Sequence, residues 1–263
     1  MLFRSTSARD GFAIASESIL NAITPRTRGI ILNSPCNPTG ALISEDELTV
    51  LARACARRGI WLILDLCYEK LIYDPTPHNL PGVLAAHCRD QAVICGSASK
   101  TYAMTGWRCG WTLAPAPVVA AQTALQSHAT SNVSSITQKA VVAALTGSQT
   151  PVTAMLEEYR TRRDSLHQWL TSDPRLRCAK PAGAFYLFVD VSEVLALGGY
   201  ATSTDFAQAL LDESRVAVTP GEAFEAPGFV RISYATSMEN LRAGSGRLLE
   251  FVARHAPQAQ AAR

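Results

Sequence analysis

The chain has 263 residues, 48% hydrophobic and 17% charged, which excludes disorder and allows one large or two modest domains. Lys plus Arg is 24 against 22 Asp plus Glu, a net +2, so no strong field for nucleic acid or anionic membrane exists. No apolar run reaches the roughly 18 residues of a spanning helix, and the seven scattered cysteines form no C-x-x-C pair, as expected of reduced thiols without a metal.

The first thirty residues mix arginines (Arg4, Arg9, Arg26, Arg28) with serines, but Asp10 and Glu17 break the pattern of a transit peptide, and a cytoplasmic protein is expected. Gly29–Asn33 is a short buried-strand signal ended by Pro35, Pro38 and Gly40. Ser44-Glu45-Asp46-Glu47 reads as a capping box for a helix through Arg58, closed by Gly59. Ile60–Leu64 is apolar throughout, as a strand covered on both faces requires, and Asp65 ends it. Ala92–Cys95 predicts a third strand and Cys109–Leu113 a fourth, giving a mostly parallel α/β sheet with flanking helices. After Pro115 the pattern is helical to about Leu145. An amphipathic helix over 151–170 follows, with Arg160, Arg162, Arg163 and Asp164 on its wet side. Strands over 184–191, 216–218 and 229–234, with helices over 204–214 and 238–255, predict a smaller C-terminal α+β domain. The division expected is 1–148 and 149–263, with an Ala/Gln-rich tail after Ala256.

Ligands of open α/β sheets sit beyond the carboxyl ends of the strands. Asn33–Gly40, Asp65–Tyr68 and Ser97–Lys100 all fall at such ends. Lys100, among small residues after an apolar strand, is a poorly solvated amine and a usable nucleophile, or else an ordinary loop lysine. Ser97 and Arg108 could hold a phosphate beside it. An amine beside a phosphate clamp suits pyridoxal 5′-phosphate. Asp65 is either a cap for the next segment or the partner of a protonated pyridine nitrogen, with Tyr68 aimed at the same ring or merely core. Asn37 sits in a loop stiffened by two prolines and could offer its amide to a ligand oxygen.

S-P-C-N-P-T-G (34–40), D-L-C-Y (65–68), S-A-S-K-T-Y-A-M-T-G-W-R-C-G (97–110) and R-I-S-Y-A (231–235) occur in this order. In these motifs the chain resembles the class I/II aminotransferases of the aspartate aminotransferase family, pyridoxal-phosphate fold type I. The stretches 126–132 and 143–147 are similar to the prephenate-capable bacterial branch. The resemblance implies that Lys100 forms a Schiff base with the cofactor and moves the substrate proton. It implies that Asp65 pairs with the pyridine nitrogen, and that Asn37 and Tyr68 bond the ring's phenolic oxygen. Ser97 and Arg108 would hold the phosphate, and Arg231, with Asn37 beside it, the substrate α-carboxylate. The implied reaction moves an amino group between an L-amino acid, aspartate first, and a 2-oxo acid such as 2-oxoglutarate, in a cytoplasmic homodimer.

Cys36, Leu66 and Cys109 depart from the family pattern without removing a cofactor contact. The family's first third, with its Gly-containing phosphate turn, has no counterpart before Asn33, so an amino-terminally truncated chain is expected. A carbon–sulfur β-lyase of the same fold and an inactive remnant are the rival readings.

Overall fold

The computed structural model describes residues 6–74 and 78–256. Arg4 and the tail after Ala256 lie outside them. The chain forms two compact units. One comprises Ala13–Cys36 and Ala41–Leu156; it carries Lys100 and is called here the lysine unit. The other comprises the segment ending at Phe12, the insert Asn37–Gly40, and everything from Glu157; it carries Arg231 and is called the arginine unit.

The lysine unit runs α1 (Ser16–Leu20), β1 (Gly29–Asn33), α2 (Glu45–Arg58), β2 (Trp61–Asp65), α3 (Leu80–His87), β3 (Ala92–Ser97), the one-turn α4 (Ala98–Thr101), β4 (Gly110–Leu113), α5 (Ala116–Ala129) and α6 (Ser135–Thr146). Its sheet has the order β1-β2-β3-β4. β1, β2 and β3 are parallel, with Asn33 opposite Asp65 and Asp65 opposite Cys95. β4 returns antiparallel, with Gly110 opposite Ser97. The parallel register forces one result: the polar residues that end each apolar run come out side by side at one edge.

α2 begins as its sequence dictates. The Ser44 hydroxyl accepts from the Glu47 N–H at 3.2 Å, acidic residues fill the first turn and Arg57 and Arg58 the last, and Gly59 closes it in the left-handed region. The Glu47 carboxylate does not complete the box with Ser44; it accepts from the Ser16 N–H and ties α1 to α2. The apolar face of α2 (Leu48, Leu51, Ala52, Cys55) packs with Leu62 and Leu64 of β2 and Leu80 and Leu84 of α3.

α7 (Thr150–Leu170) leads into the arginine unit, followed by β5 (Arg177–Cys178), β6 (Tyr186–Asp190), α8 (Ser192–Gly198), α9 (Ser203–Ser214), β7 (Thr219–Pro220), β8 (Phe229–Ser233) and α10 (Met238–His255). Its sheet is antiparallel in the order β5-β6-β8-β7. β6 is buried along almost its whole length. Phe12 reaches this core from the other end of the chain, its ring 5.7 Å from Phe188 and 5.9 Å from Phe229.

Two further expectations are corrected. Arg163 is not on a wet face: it is 3% exposed, pairs with Asp164 at 2.7 Å and donates to the Pro181 carbonyl at 3.1 Å. A long cation can be buried there because a carboxylate and a main-chain oxygen both meet it. Residues 216–218 form no strand, because the ladder with β8 starts only at Thr219, opposite Arg231. No helix among the described residues is long and apolar enough to cross a membrane.

Candidate active site

In the lysine unit the predicted residues gather where β2 and β3 end. Asp65, half-buried, accepts from the Cys67 N–H at 2.9 Å, so the carboxylate folds the chain into the turn that carries Tyr68. Tyr68 is 5% exposed, and Lys100 Nζ lies 6.0 Å from its ring centroid. The Ser97 hydroxyl caps α4 by accepting from the Ser99 N–H at 3.0 Å, and donates to the Cys109 carbonyl at 3.3 Å. α4 is a single turn, so Lys100 sits within one turn of Ser97.

Cys67 sits in the turn between Asp65 and Tyr68. Its thiol is pushed up to about 12, first by burial, then by a hydrogen bond to the Asp65 carboxylate and that group's charge; the Ser97 hydroxyl and the Lys100 charge pull the other way. One sulfur therefore senses Asp65, Ser97 and Lys100 together. Cys67 does not stand out in the sequence, since its position in D-L-C-Y looks like an ordinary small apolar site.

Arg108 is exposed, with its backbone in the left-handed region at φ 54°, and its guanidinium donates to the Thr105 carbonyl at 2.9 Å. Its neighbour Cys109 supplies the carbonyl that both Ser97 Oγ and the Ala98 N–H bond.

The remaining two predicted residues, Asn37 and Arg231, meet in the arginine unit. The insert turns at Gly40, φ +69°, where a Cβ would stand 2.3 Å from Pro181 Cβ and 2.6 Å from the Gly183 carbonyl, so only glycine fits. The Gly40 carbonyl accepts from Ala182 and Gly183. Held there, Asn37 Oδ1 accepts from Arg231 Nη1 at 2.8 Å. Arg231 Nη2 donates to Thr219 Oγ1 at 3.2 Å, and its Cζ lies 4.4 Å from the Tyr186 ring centroid and 5.0 Å from that of Phe224. Arg231 Nε is buried without a hydrogen-bond partner. Tyr186, Thr219 and Phe224 are not singled out in the sequence; cross-strand pairing brings Thr219 opposite Arg231, and the turn 221–224 brings in Phe224.

The profile of the family "Aminotransferase class I and II" matches residues 2–248, and the chain belongs to this family. It is 41% identical over 241 residues to an aspartate aminotransferase of Geobacillus stearothermophilus, covering 92% of this chain and 61% of the relative. It is 38% identical to an aspartate/prephenate aminotransferase of Cereibacter sphaeroides, covering 92% and 62%. The solved aspartate aminotransferase of Rhizobium meliloti superposes with a TM-score of 0.88 at 37% identity, covering 97% of this chain and 64% of that one. The fold is thus that of the type I pyridoxal-phosphate transferases, and the chain spans about three fifths of the length of these relatives.

Proposed function

We propose that this chain carries the catalytic lysine and the carboxylate-binding arginine of a pyridoxal-phosphate-dependent aminotransferase. Its substrates would be an L-amino acid, aspartate first, and a 2-oxo acid such as 2-oxoglutarate. The observation that carries this reading is the placement of Asp65 and Ser97 at the carboxyl ends of neighbouring strands, with Lys100 one turn beyond Ser97 and its Nζ 6.0 Å from the Tyr68 ring. The donor set fits the cofactor: an amine for an aldehyde, a carboxylate for a protonated ring nitrogen, a hydroxyl and a guanidinium for a phosphate.

When bound, pyridoxal 5′-phosphate supplies an aldehyde for an amine and a ring that takes up the electron pair left at the substrate Cα. Ser97 and Arg108 would hold its phosphate. Tyr68 and Asn37 would donate to its phenolic oxygen, and Asp65 would keep a proton at its ring nitrogen. Lys100 Nζ is the base that takes the Cα proton of the substrate. Arg231 takes the substrate α-carboxylate through its Nη groups. A cytoplasmic homodimer belongs to the same reading.

Borohydride trapping tests it. Reduction of the protein with added cofactor, followed by digestion and mass analysis, is expected to place a pyridoxyl group on Lys100. Lys100→Ala is expected to lose both the label and the exchange of the aspartate Cα proton with deuterated water. A label on another lysine, or undiminished exchange in Lys100→Ala, would overturn the assignment.

A further inference from the structure

We propose that Thr219 is a positioning residue for Arg231, fixing the direction in which the guanidinium meets a substrate carboxylate; this rests on the carboxylate role given to Arg231 above. Antiparallel pairing places Thr219 directly opposite Arg231 across β7 and β8, and Phe188 opposite it across β6 and β8. Opposed residues share a face of the sheet, as do residues two apart on one strand, so Thr219, Arg231 and Tyr186 stand together.

Phe224 arrives by a different route. Gly221 is buried, and a Cβ there would stand 2.0 Å from the Ala226 carbonyl oxygen and 2.7 Å from that of Phe229. The absence of a side chain lets the short 3-10 turn 221–224 pack tightly and bring the Phe224 ring to the guanidinium.

The rings and the hydroxyl do different work. Attraction between a cation and a ring face depends on the charge lying over the ring and hardly on rotation within the guanidinium plane. Tyr186 and Phe224 therefore hold Arg231 in place without aiming it. Hydrogen bonds at its rim are directional, and Asn37 and Thr219 bond one Nη each. With Nε buried, the Nη edge is what remains for a carboxylate. Removing the Thr219 hydroxyl frees one of the two rim contacts and lets the fork turn.

The test is calorimetric binding of succinate to the cofactor-loaded chain and to the chain without cofactor. Thr219→Val, which keeps the shape and loses the hydroxyl, is expected to weaken succinate binding by about tenfold, the scale of a hydrogen bond to a charged group. Thr219→Ser is expected to stay within about twofold of the wild type, a rescue that a purely structural role for the β-branched side chain would not give. Thr219→Ala replaces the valine variant if that one does not fold. Wild-type affinity in Thr219→Val while Arg231→Ala loses binding would overturn this inference and leave the function of Arg231 standing. Unchanged binding in Arg231→Ala, or no binding by the wild type, would sink both.

Discussion

Cys67 shows how one side chain can report on a site it was not chosen for. Burial and Asp65 hold its thiol up at about 12, so the thiolate is scarce at pH 8. Iodoacetamide at that pH is expected to leave Cys67 largely unmodified, as read by peptide mass mapping. Asp65→Asn removes the neighbouring charge and is expected to speed alkylation several-fold; Ser97→Ala, which removes a hydroxyl that favours the thiolate, is expected to slow it. Equal rates in all three proteins would show that the sulfur is not coupled to these groups. Legibility at this scale divides by chemistry. Lys100 and Asp65 stand out because a charged residue at or just past the end of an apolar run needs a reason, whereas Arg231 is picked out by the R-I-S-Y-A resemblance. Thr219 and Tyr186 do not, since threonine and tyrosine are ordinary strand residues and only the cross-strand register reveals their neighbour.

Elements with strong local signals are read correctly from the sequence. α2 has both caps and a clear apolar face, and it runs from Glu45 to Arg58 as its pattern predicts; β1 and α10 match their expected spans as well. α1, α3 and α8 are short, and α3 is nearly apolar all round, so periodicity says little about them. The reversed direction of β4 is equally hidden, because four residues do not encode which way a strand pairs. The α1–α2 tie leads to a pH prediction. Hydrogen bonds from Ser16 hold the Glu47 carboxyl below its ordinary value. A depressed carboxyl contributes stability above its unfolded value, about 4.3, and that contribution is lost as pH falls toward the lower folded value. Glu47→Gln keeps an acceptor for Ser16 but has no proton to gain. Its thermal midpoint is expected to fall less than that of the wild type between about pH 5 and pH 3; parallel curves would refute the coupling.

Across the whole molecule, apolar surface is unevenly covered. β1 and β4 end the sheet of the lysine unit, and Ile31 and Leu113 on them are 64% and 60% exposed. No residue of α5 is buried, and Leu125 there is 72% exposed. Strand edges and apolar patches of this kind template association. The chain is expected to self-associate with rising concentration in light scattering, and Ile31→Lys is expected to reduce it; a monodisperse wild type would refute this. The passage of the backbone between the units has a consequence of another kind. The arginine unit is assembled from three separate stretches of chain, one of them the four residues Asn37–Gly40. A gene fragment starting at Glu157 would encode Arg231 and its strands, yet omit Asn37, the Gly40 carbonyl that receives Ala182 and Gly183, and the Phe12 ring against Phe188. Such a unit is not a cassette that recombination can lift out whole and graft elsewhere: its inheritance is bound to that of the lysine unit.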